Sequence, residues 1–577
     1  MATSVADHLV HQLVAAGVER IYGIVGDSLN PVVDAVRRTE GIEWVNVRHE
    51  EAAAFAAAGE AEVTGRLAVC AGSCGPGNLH LINGLYDANR SRLPVLAIAS
   101  HIPSAQIGTQ FFQETHPDRL FTEASVFSEL ISSPAQLPRV TRSAIQHALT
   151  APGVAVLTLP GDVADLTVAD AGQTLVPATG TATLVPAEED VAALAAAINE
   201  ARKVTLFVGV GARSARTEVL ALAEQLGAPV GHSLRGKEVI QYDNPFDVGM
   251  SGLLGYGACQ DAMEQADLLV LLGTDFPYPA FLPSDVRTAQ VDVDATHLGR
   301  RTRLDVPVHG DVGATLRLLM PLVKRKKSRT FLKSMRKRHD KLMSSVVGAY
   351  TRKVDRLRPI HPEYAAVQLD EVAGPDTVFT VDTGMNTVWA ARYLTPNGRR
   401  RVIGSFLHGS MANALPHAIG AASAGRQVVA LAGDGGLSML LGELITLRDL
   451  DLPVAVVVFN NSTLGMVKLE MFVEGLPDHA TDTPPVDYRR VAEAIGIPAL
   501  RVEDPRELRE ALSDALGRSG PVLVDVVTDP RALSLPPSIT AGQVRGFATS
   551  MTKEIFGGGS GEVMAMARSN LRNIPRP

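Results

Sequence analysis

The chain has 577 residues, 46% of them hydrophobic and 20% charged, with a formal net charge of −8. That length supplies core enough for three domains, and the acidic balance gives no footing for nucleic-acid binding. The longest apolar runs, such as 268–273 and 454–459, are strand-length and fall far short of the ~20 residues of a membrane span. Cys70, Cys74 and Cys259 have neither metal-ligand spacing nor an even disulfide count, which points to a reducing, cytoplasmic setting. At the N-terminus Asp7, His8 and His11 interrupt the apolar residues, while Leu9, Leu13 and Val14 keep helical spacing. This predicts an amphipathic helix, not a signal peptide.

Residues 1–183 alternate strand-like runs (20–25, 42–47, 67–71, 94–99 and 154–159) with helical patterns such as 51–63 and 78–89. Such alternation predicts a parallel α/β domain. Three turns at strand ends carry chemistry-bearing residues. Gly23-Ile24-Val25-Gly26-Asp27 is close enough to glycine-rich for Gly26 to approach a ligand. His49-Glu50-Glu51 opens a helix, where an acid is favoured by the helix dipole. Ser73-Cys74-Gly75-Pro76-Gly77-Asn78 is a tight turn. Residues 101–117 (HIPSAQIGTQFFQETHP) form a long polar loop, and loops of that length are functional or mobile. One of Phe111 and Phe112 is expected to pin it to the core.

Residues 162–189 are rich in Ala, Thr, Val and Pro without periodicity and read as a linker into a domain spanning 184–335. A strand at 204–208 leads into Gly209-Val210-Gly211-Ala212 and a helix from Ala215. No third glycine completes a dinucleotide fingerprint, so a nucleotide-binding start and a plain strand–helix turn stand equal. Further turns follow: His232-Ser233-Leu234-Arg235-Gly236, Gly252-Leu253-Leu254-Gly255, Gly273-Thr274-Asp275-Phe276-Pro277-Tyr278, Asp292-Val293-Asp294 and Gly310-Asp311-Val312. Their number suits a ligand stretched along the sheet edge. The basic run 324–341 reads as a solvated helical connector, with attraction to anionic headgroups as the other reading.

Residues 336–530 resume the alternation. A strand at 378–381 ends in Asp382-Thr383-Gly384, and 405–421 (SFLHGSMANALPHAIGA) is small-residue rich, so backbone can approach a ligand closely. Next come strands at 427–432 and 453–459 around a helix at 437–450. The first strand ends in Gly433-Asp434-Gly435-Gly436, the second in Asn460-Asn461-Ser462-Thr463-Leu464-Gly465. In an open parallel sheet both turns lie where ligands bind. The Asp434 carboxylate, the Asn461 amide and the Thr463 carbonyl are hard oxygen donors, too few for a full shell. Mg²⁺ accepts that shortage when phosphate and water complete it. Gly435 and Gly436 let backbone N–H groups approach phosphate at a helix start. A bare Gly turn with an Asp cap is the simpler account, but the Asn-Asn turn one strand later favours the metal.

GDGG followed by NN resembles the thiamine diphosphate (ThDP) signature of the decarboxylase and acetolactate synthase type. The resemblance spans nearly the whole chain and is closest to the quinone-linked pyruvate dehydrogenase and pyruvate oxidase family. It implies three doubly wound α/β domains binding pyrimidine, FAD and diphosphate, plus a short helical C-terminal tail, 531–577. His49–Ala54 is similar to the family's HEQAAA segment with Glu51 in place of Gln, which gives Glu50 the bond to N1′ of the thiamine pyrimidine. A buried carboxyl there promotes the iminopyrimidine tautomer that deprotonates the thiazolium carbon. By the same resemblance Phe112 and Gln113 lie beside the substrate, and Met411 wedges the thiamine rings. The backbone of Leu407, His408 and Gly409 touches the coenzyme. Gly209, Gly211, the turns Gly252–Gly255 and Thr274–Tyr278, and Asp292 hold FAD. Met466 stands where the quinone-linked enzymes have an aromatic. The implied reaction takes pyruvate to acetate and CO₂, with electrons passing through FAD to a membrane quinone. Glu50 and Asp434 of one site then come from different subunits, usually in a tetramer. The tail, with Val563, Ala567 and Leu571 on one face, implies an anionic lipid surface at the inner face of the cell membrane; a helix packed on its own protein is the other reading. Acetolactate synthase-type carboligation, an oxygen- and phosphate-dependent oxidase and a silent lipid-binding scaffold are the alternatives.

Overall fold

A computed structural model describes residues 3–168 and 182–532, together with 549, 550, 566, 569, 570 and 572. Three sheets follow one another along the chain. The first holds β1 (Arg20–Gly23), β2 (Glu43–Asn46), β3 (Ala68–Gly72), β4 (Val95–His101), β5 (Phe127–Leu130) and β6 (Val154–Pro160), in the order β2-β1-β3-β4-β6-β5. The second holds β7 (Val204–Val208), β8 (Val230–His232), β9 (Asp247–Met250), β10 (Tyr256–Gly257), β11 (Leu268–Leu272), β12 (Arg287–Asp292) and β13 (Val306–His309), in the order β10-β9-β8-β7-β11-β12-β13. The third holds β14 (Val378–Val381), β15 (Arg401–Ile403), β16 (Val428–Gly433), β17 (Val454–Asn460), β18 (Ala499–Val502) and β19 (Val522–Val527), in the order β15-β14-β16-β17-β19-β18. The first and third sheets are parallel throughout and share one topology, strand for strand. Their central strands are buried on both faces, which is why 95–99 and 454–459 read as unbroken apolar runs.

The structure departs from the sequence reading in several places. The segment 437–450 is two helices, Asp434–Met439 and Glu443–Asp449, since Leu440 leaves the helical region at φ −122°, ψ 37°. The restart puts Glu443 in a first turn, where it is buried and accepts the Arg48 N–H of the first domain at 2.9 Å. β5 was not anticipated: it is an edge strand whose Ser128 and Glu129 dilute the apolar signal. The second sheet is not wholly parallel, because β10 pairs with β9 antiparallel around Gly249 and Gly257, both at positive φ. The expected linker begins with a helical turn, Gly161–Asp165, whose Asp162 accepts from Ser104 N and Oγ at 2.8 and 2.6 Å. Residues 169–181 lie outside the described residues. The basic run is not a free connector. Lys326 Nζ donates to the carbonyls of Ile198 and Ala201 at 2.7 and 2.6 Å, Arg329 pairs with Glu224 at 2.7 Å, and only Thr330–Leu342 is helical.

The first and third domains share one hydrophobic cluster, running from Tyr22 and Phe55 through Val156 to Ala418 and Val456. At its centre helix Glu50–Thr64 crosses helix Ala414–Ser423 with backbone against backbone. A Cβ on Gly420 would stand 1.8 Å from Ala56 O, and one on Gly59 2.3 Å from His417 O. Beside this crossing Arg401 pairs with Glu62 at 2.7 Å and with Glu238 of the second domain at 3.1 Å. Among the described residues no helix is long and apolar enough to cross a membrane. The tail expectation, with Val563, Ala567 and Leu571, falls mostly outside the described residues. Those that are described lie on the protein: Met566 packs against Leu469 and Phe472, and Ser569 Oγ donates to Asp529 at 2.6 Å.

Removing Arg401 leaves the half-buried carboxylates of Glu62 and Glu238 with Arg213 as their remaining cation. Arg401→Ala should therefore cost ~1.5–3 kcal/mol for the lost charge-assisted hydrogen bonds, read as an earlier denaturant-unfolding midpoint. Arg66→Ala, which breaks an exposed pair with Glu19 at 2.9 Å, should cost under ~1 kcal/mol.

Candidate active site

Parallel pairing of β16 with β17 sets Gly433 opposite Phe459, so the turns after both strands emerge side by side. Asp434 is buried, with the backbone N–H groups of Gly435, Asn461 and Ser462 near its carboxylate. Burial raises its pKa and those N–H groups oppose the rise. The two asparagines divide the work. Asn460 turns back, donating to Val486 O at 2.8 Å and Asp525 Oδ1 at 2.9 Å. Asn461 stays at the turn, where its Oδ1 accepts Thr463 N at 3.1 Å. Ser462 adopts φ +55°, which swings the chain around Asp434. Gly465 then opens helix Gly465–Glu474, and Met466 packs half-buried on the third-domain core.

The glycines after Asp434 have separate reasons. A Cβ on Gly436 would lie 1.7 Å from Asp382 Oδ2, so that glycine makes room for a buried carboxyl. Asp382 also accepts from Asn413 Nδ2 at 3.2 Å, and burial pushes its pKa up to about 7. A Cβ on Gly435 would stand 2.7 Å from Leu464 Cδ2 and 3.5 Å from Met411 Cε. Gly435, Leu464 and Met411, far apart in sequence, therefore meet at one spot. Gly409 is at φ +79° with open space where a Cβ would be. Its neighbours lean on helix Pro76–Arg90 of the first domain: the His408 ring stacks on Tyr86 at 5.7 Å and bonds Asn83 Oδ1 at 2.8 Å, while Leu407 O accepts from Arg90 at 3.3 Å.

In the first domain His49 caps helix Glu50–Thr64, its ring Nδ1 accepting Glu51 N at 3.2 Å. Glu51 Oε1 accepts Asn83 Nδ2 at 2.7 Å. Glu50 is buried, and its Oε2 lies 2.9 Å from His80 Nδ1. Its Oε1 faces Gly77, where a Cβ would come within 3.0 Å. His80 was missed in the sequence. The signal was there: Gly77 and His80 are spaced i, i+3 on one helix and so share a face.

Gly26 makes room for a side chain of its own protein, since a Cβ there would meet Ser73 Oγ at 2.3 Å. Beside it a cavity of about 470 Å³ is lined by Ser28, Cys74, His101, Phe112 and Gln113 among others. His101 is 2% exposed, and its Nδ1 has no hydrogen-bond partner among the described residues. Contrary to expectation neither aromatic is in the core: Phe111 is 43% and Phe112 77% exposed. Glu114 holds the loop instead, accepting the N–H groups of Gly108 and Phe111. Gln113, at φ +62°, accepts Cys74 Sγ–H at 3.4 Å and so lies on the Gly75 turn.

In the second domain the turns gather at the carboxyl ends of β7, β11 and β12. Packing alone accounts for two glycines, since a Cβ on Gly209 or Gly211 would lie 2.3 or 2.9 Å from Gly273 O. Thr274 and Phe276 are buried, Phe276 edge-on to Phe207 at 5.1 Å, and Asp275 pairs with Arg300 and Arg301. Asp292 is buried, accepting Asp294 N at 3.0 Å and facing His297 Nδ1 at 3.3 Å. Leu253, Pro277 and Tyr278 stand exposed, while Gly255 O accepts from Arg392 at 3.0 Å beside Leu254 and Gly252.

The fold and these turns define a three-domain α/β protein with an oxygen-donor turn in its last domain and a buried, glycine-faced glutamate in its first. The chain belongs to the thiamine pyrophosphate enzyme family. The family's N-terminal TPP binding domain matches residues 3–120, its central domain 191–319 and its C-terminal TPP binding domain 382–526. The chain is 35% identical over 559 residues to the Bacillus subtilis thiamine pyrophosphate-containing protein YdaP, covering 96% of this chain and 97% of that one. It is 30% identical to the pyruvate oxidase of Lactiplantibacillus plantarum, over 91% of this chain and 89% of that one. It is 31% identical to an acetolactate synthase of Mycobacterium bovis, over 93% and 90%.

Asp382 allows a pH test. Folded, its carboxyl ionises near 7, against an ordinary value of 3.8. The native state then holds the extra proton between those values, so the group's contribution is complete below about 4 and is lost as pH rises to about 7. Thermal unfolding of the wild type should therefore lose ground to Asp382→Asn as pH rises across that window.

Proposed function

We propose that this enzyme oxidatively decarboxylates pyruvate to acetate and CO₂ and passes the electrons through FAD to a membrane quinone. The observation that carries this reading is the exposed Phe112 beside the half-buried Gln113 over the cavity, resting on the Gly75 turn. There it can receive a small 2-oxo acid. In this reading Asp434, Asn461 Oδ1 and Thr463 O hold Mg²⁺, and the N–H groups of Gly435 and Gly436 meet a diphosphate. Met411 and Leu464 supply an apolar wedge beside them. Glu50 holds or gives up a proton at the pyrimidine nitrogen, with Oε1 the free oxygen. Gly252–Gly255, Thr274–Tyr278 and Asp292 border the flavin. The thiamine coenzyme supplies the carbon nucleophile and the flavin accepts two electrons; the protein supplies position, charge and exclusion of water.

Glu50 and Asp434 of one site come from two subunits of a homotetramer in this proposal. The tail, whose Met566 touches the helix that begins with Gly465-Met466, meets an anionic lipid surface at the inner face of the membrane. A second reading is acetolactate synthase-type carboligation, favoured by the acetolactate synthase match over as much of the chain as the pyruvate oxidase match.

Incubation of purified protein with pyruvate, ThDP, Mg²⁺ and FAD, with and without a quinone analogue, decides between them. Acetate formed only with the acceptor, and flavin bleached by pyruvate without oxygen, are expected. Acetolactate with no flavin bleaching would establish the carboligase, and acetyl phosphate the phosphate-dependent oxidase. Glu50→Gln should slow flavin reduction by ~10²–10⁴-fold, the range of a lost general acid–base group. Wild-type reduction rates in that variant would remove Glu50 from the mechanism.

A further inference from the structure

Glu50 is a buried carboxyl that, on the reading above, must release and recover a proton in every cycle. Its side chain is 9% exposed, and its one hydrogen-bond partner among the described residues is His80, at 2.9 Å from Oε2. The His80 side chain is 45% exposed. One end of this imidazole touches the buried acid while its body reaches solvent, and Nε2 has no protein partner among the described residues. His49 stacks on it, with ring centroids 4.3 Å apart and planes at 25°. The His49 Nδ1 is occupied as an acceptor of Glu51 N, which fixes that ring as the helix cap and makes it a wall for His80. Ligand-type atoms of His49, Glu50 and His80 lie within 4.8 Å of one another. The near-parallel rings cannot both aim an in-plane lone pair at one ion, so the cluster suits proton transfer better than metal binding.

We propose that His80 is the proton conduit of Glu50. In the outward step the Oε2–H bond breaks and an Nδ1–H bond forms on His80, while Nε2–H breaks and a water molecule takes that proton. The acid becomes a carboxylate and the imidazole stays neutral with its tautomer exchanged. The return step is the reverse. Oε1, facing Gly77, stays free for the coenzyme throughout. His80 is thus a positioning and proton-transfer residue that touches the catalytic carboxyl and not the substrate.

This proposal rests on the thiamine reading, so the experiment separates the two. Coenzyme affinity is measured by calorimetry, and exchange of the bound coenzyme's C2 proton for deuterium is followed by acid quench and proton NMR. Neither measurement requires turnover. Wild type, His80→Gln and His80→Phe are compared. Glutamine keeps a donor for Glu50 but cannot relay a proton; phenylalanine keeps only the stack on His49. Both variants should bind coenzyme within about 3-fold of wild type, exchange C2 at least ~10-fold more slowly, and recover in part with added imidazole. Wild-type exchange in His80→Gln would overturn the relay and leave His80 a hydrogen-bond prop. Slow exchange with no imidazole rescue and coenzyme affinity lost in both variants would likewise overturn it in favour of a structural role. A wild-type protein that binds no thiamine diphosphate would sink the underlying reading and the relay with it.

Discussion

The register of β16 against β17 is the constraint on which the rest of the site depends. Opposing Gly433 and Phe459 at the strand ends makes two turns leave the sheet as neighbours, and only then can the Asp434 carboxylate lie near N–H groups of both. A one-residue slip would turn every side chain of one strand to the other face and carry Asp434 away from Asn461. The buried runs 428–432 and 454–459 make that slip costly, since both faces of both strands are covered. Asp382 reinforces the arrangement from below by filling the space that Gly436 leaves.

The first and third sheets share a topology but have divided the chemistry. In each, the turn after the third strand of the unit is glycine-rich and opens a helix: Gly75-Pro76-Gly77 after β3, Gly433-Asp434-Gly435 after β16. In the first unit that turn leaves room for Glu50; in the third it carries an acid of its own. The glycine crossing of helices Glu50–Thr64 and Ala414–Ser423 then locks the two units together within one chain. Close packing of this kind is rigid, because backbone atoms cannot yield as a flexible side chain can. Arg401, bonded to Glu62 and Glu238, ties the second domain to the same junction.

Much of the fold was legible because its signals are local. Buried parallel strands write themselves as apolar runs, and strand–turn–helix alternation marks each crossover, so 204–208 and 378–381 coincide with β7 and β14. Edge elements were not legible: β5 carries Ser and Glu, and the two residues of β10 are too short to leave a pattern. The break at Leu440 was hidden because it answers to Arg48, hundreds of positions away. At the site, the paired turns at 434 and 461 suggested a metal and the likeness of 49–54 to HEQAAA suggested a role for Glu50, whereas the division of labour between Asn460 and Asn461 appears only in their partners.

By itself the sequence determined three α/β units built on mainly parallel strands, the placement of acids and glycines at their strand ends, and a likeness to thiamine enzymes. These follow from periodicity and residue chemistry, which each short segment expresses alone. Only the tertiary structure decided that Phe112 stands in the open, that Gly209 and Gly211 lie close against Gly273, and that His80 holds Glu50. Those outcomes depend on which segments approach within a few ångströms, and the distance between segments is set by the packing of the whole chain.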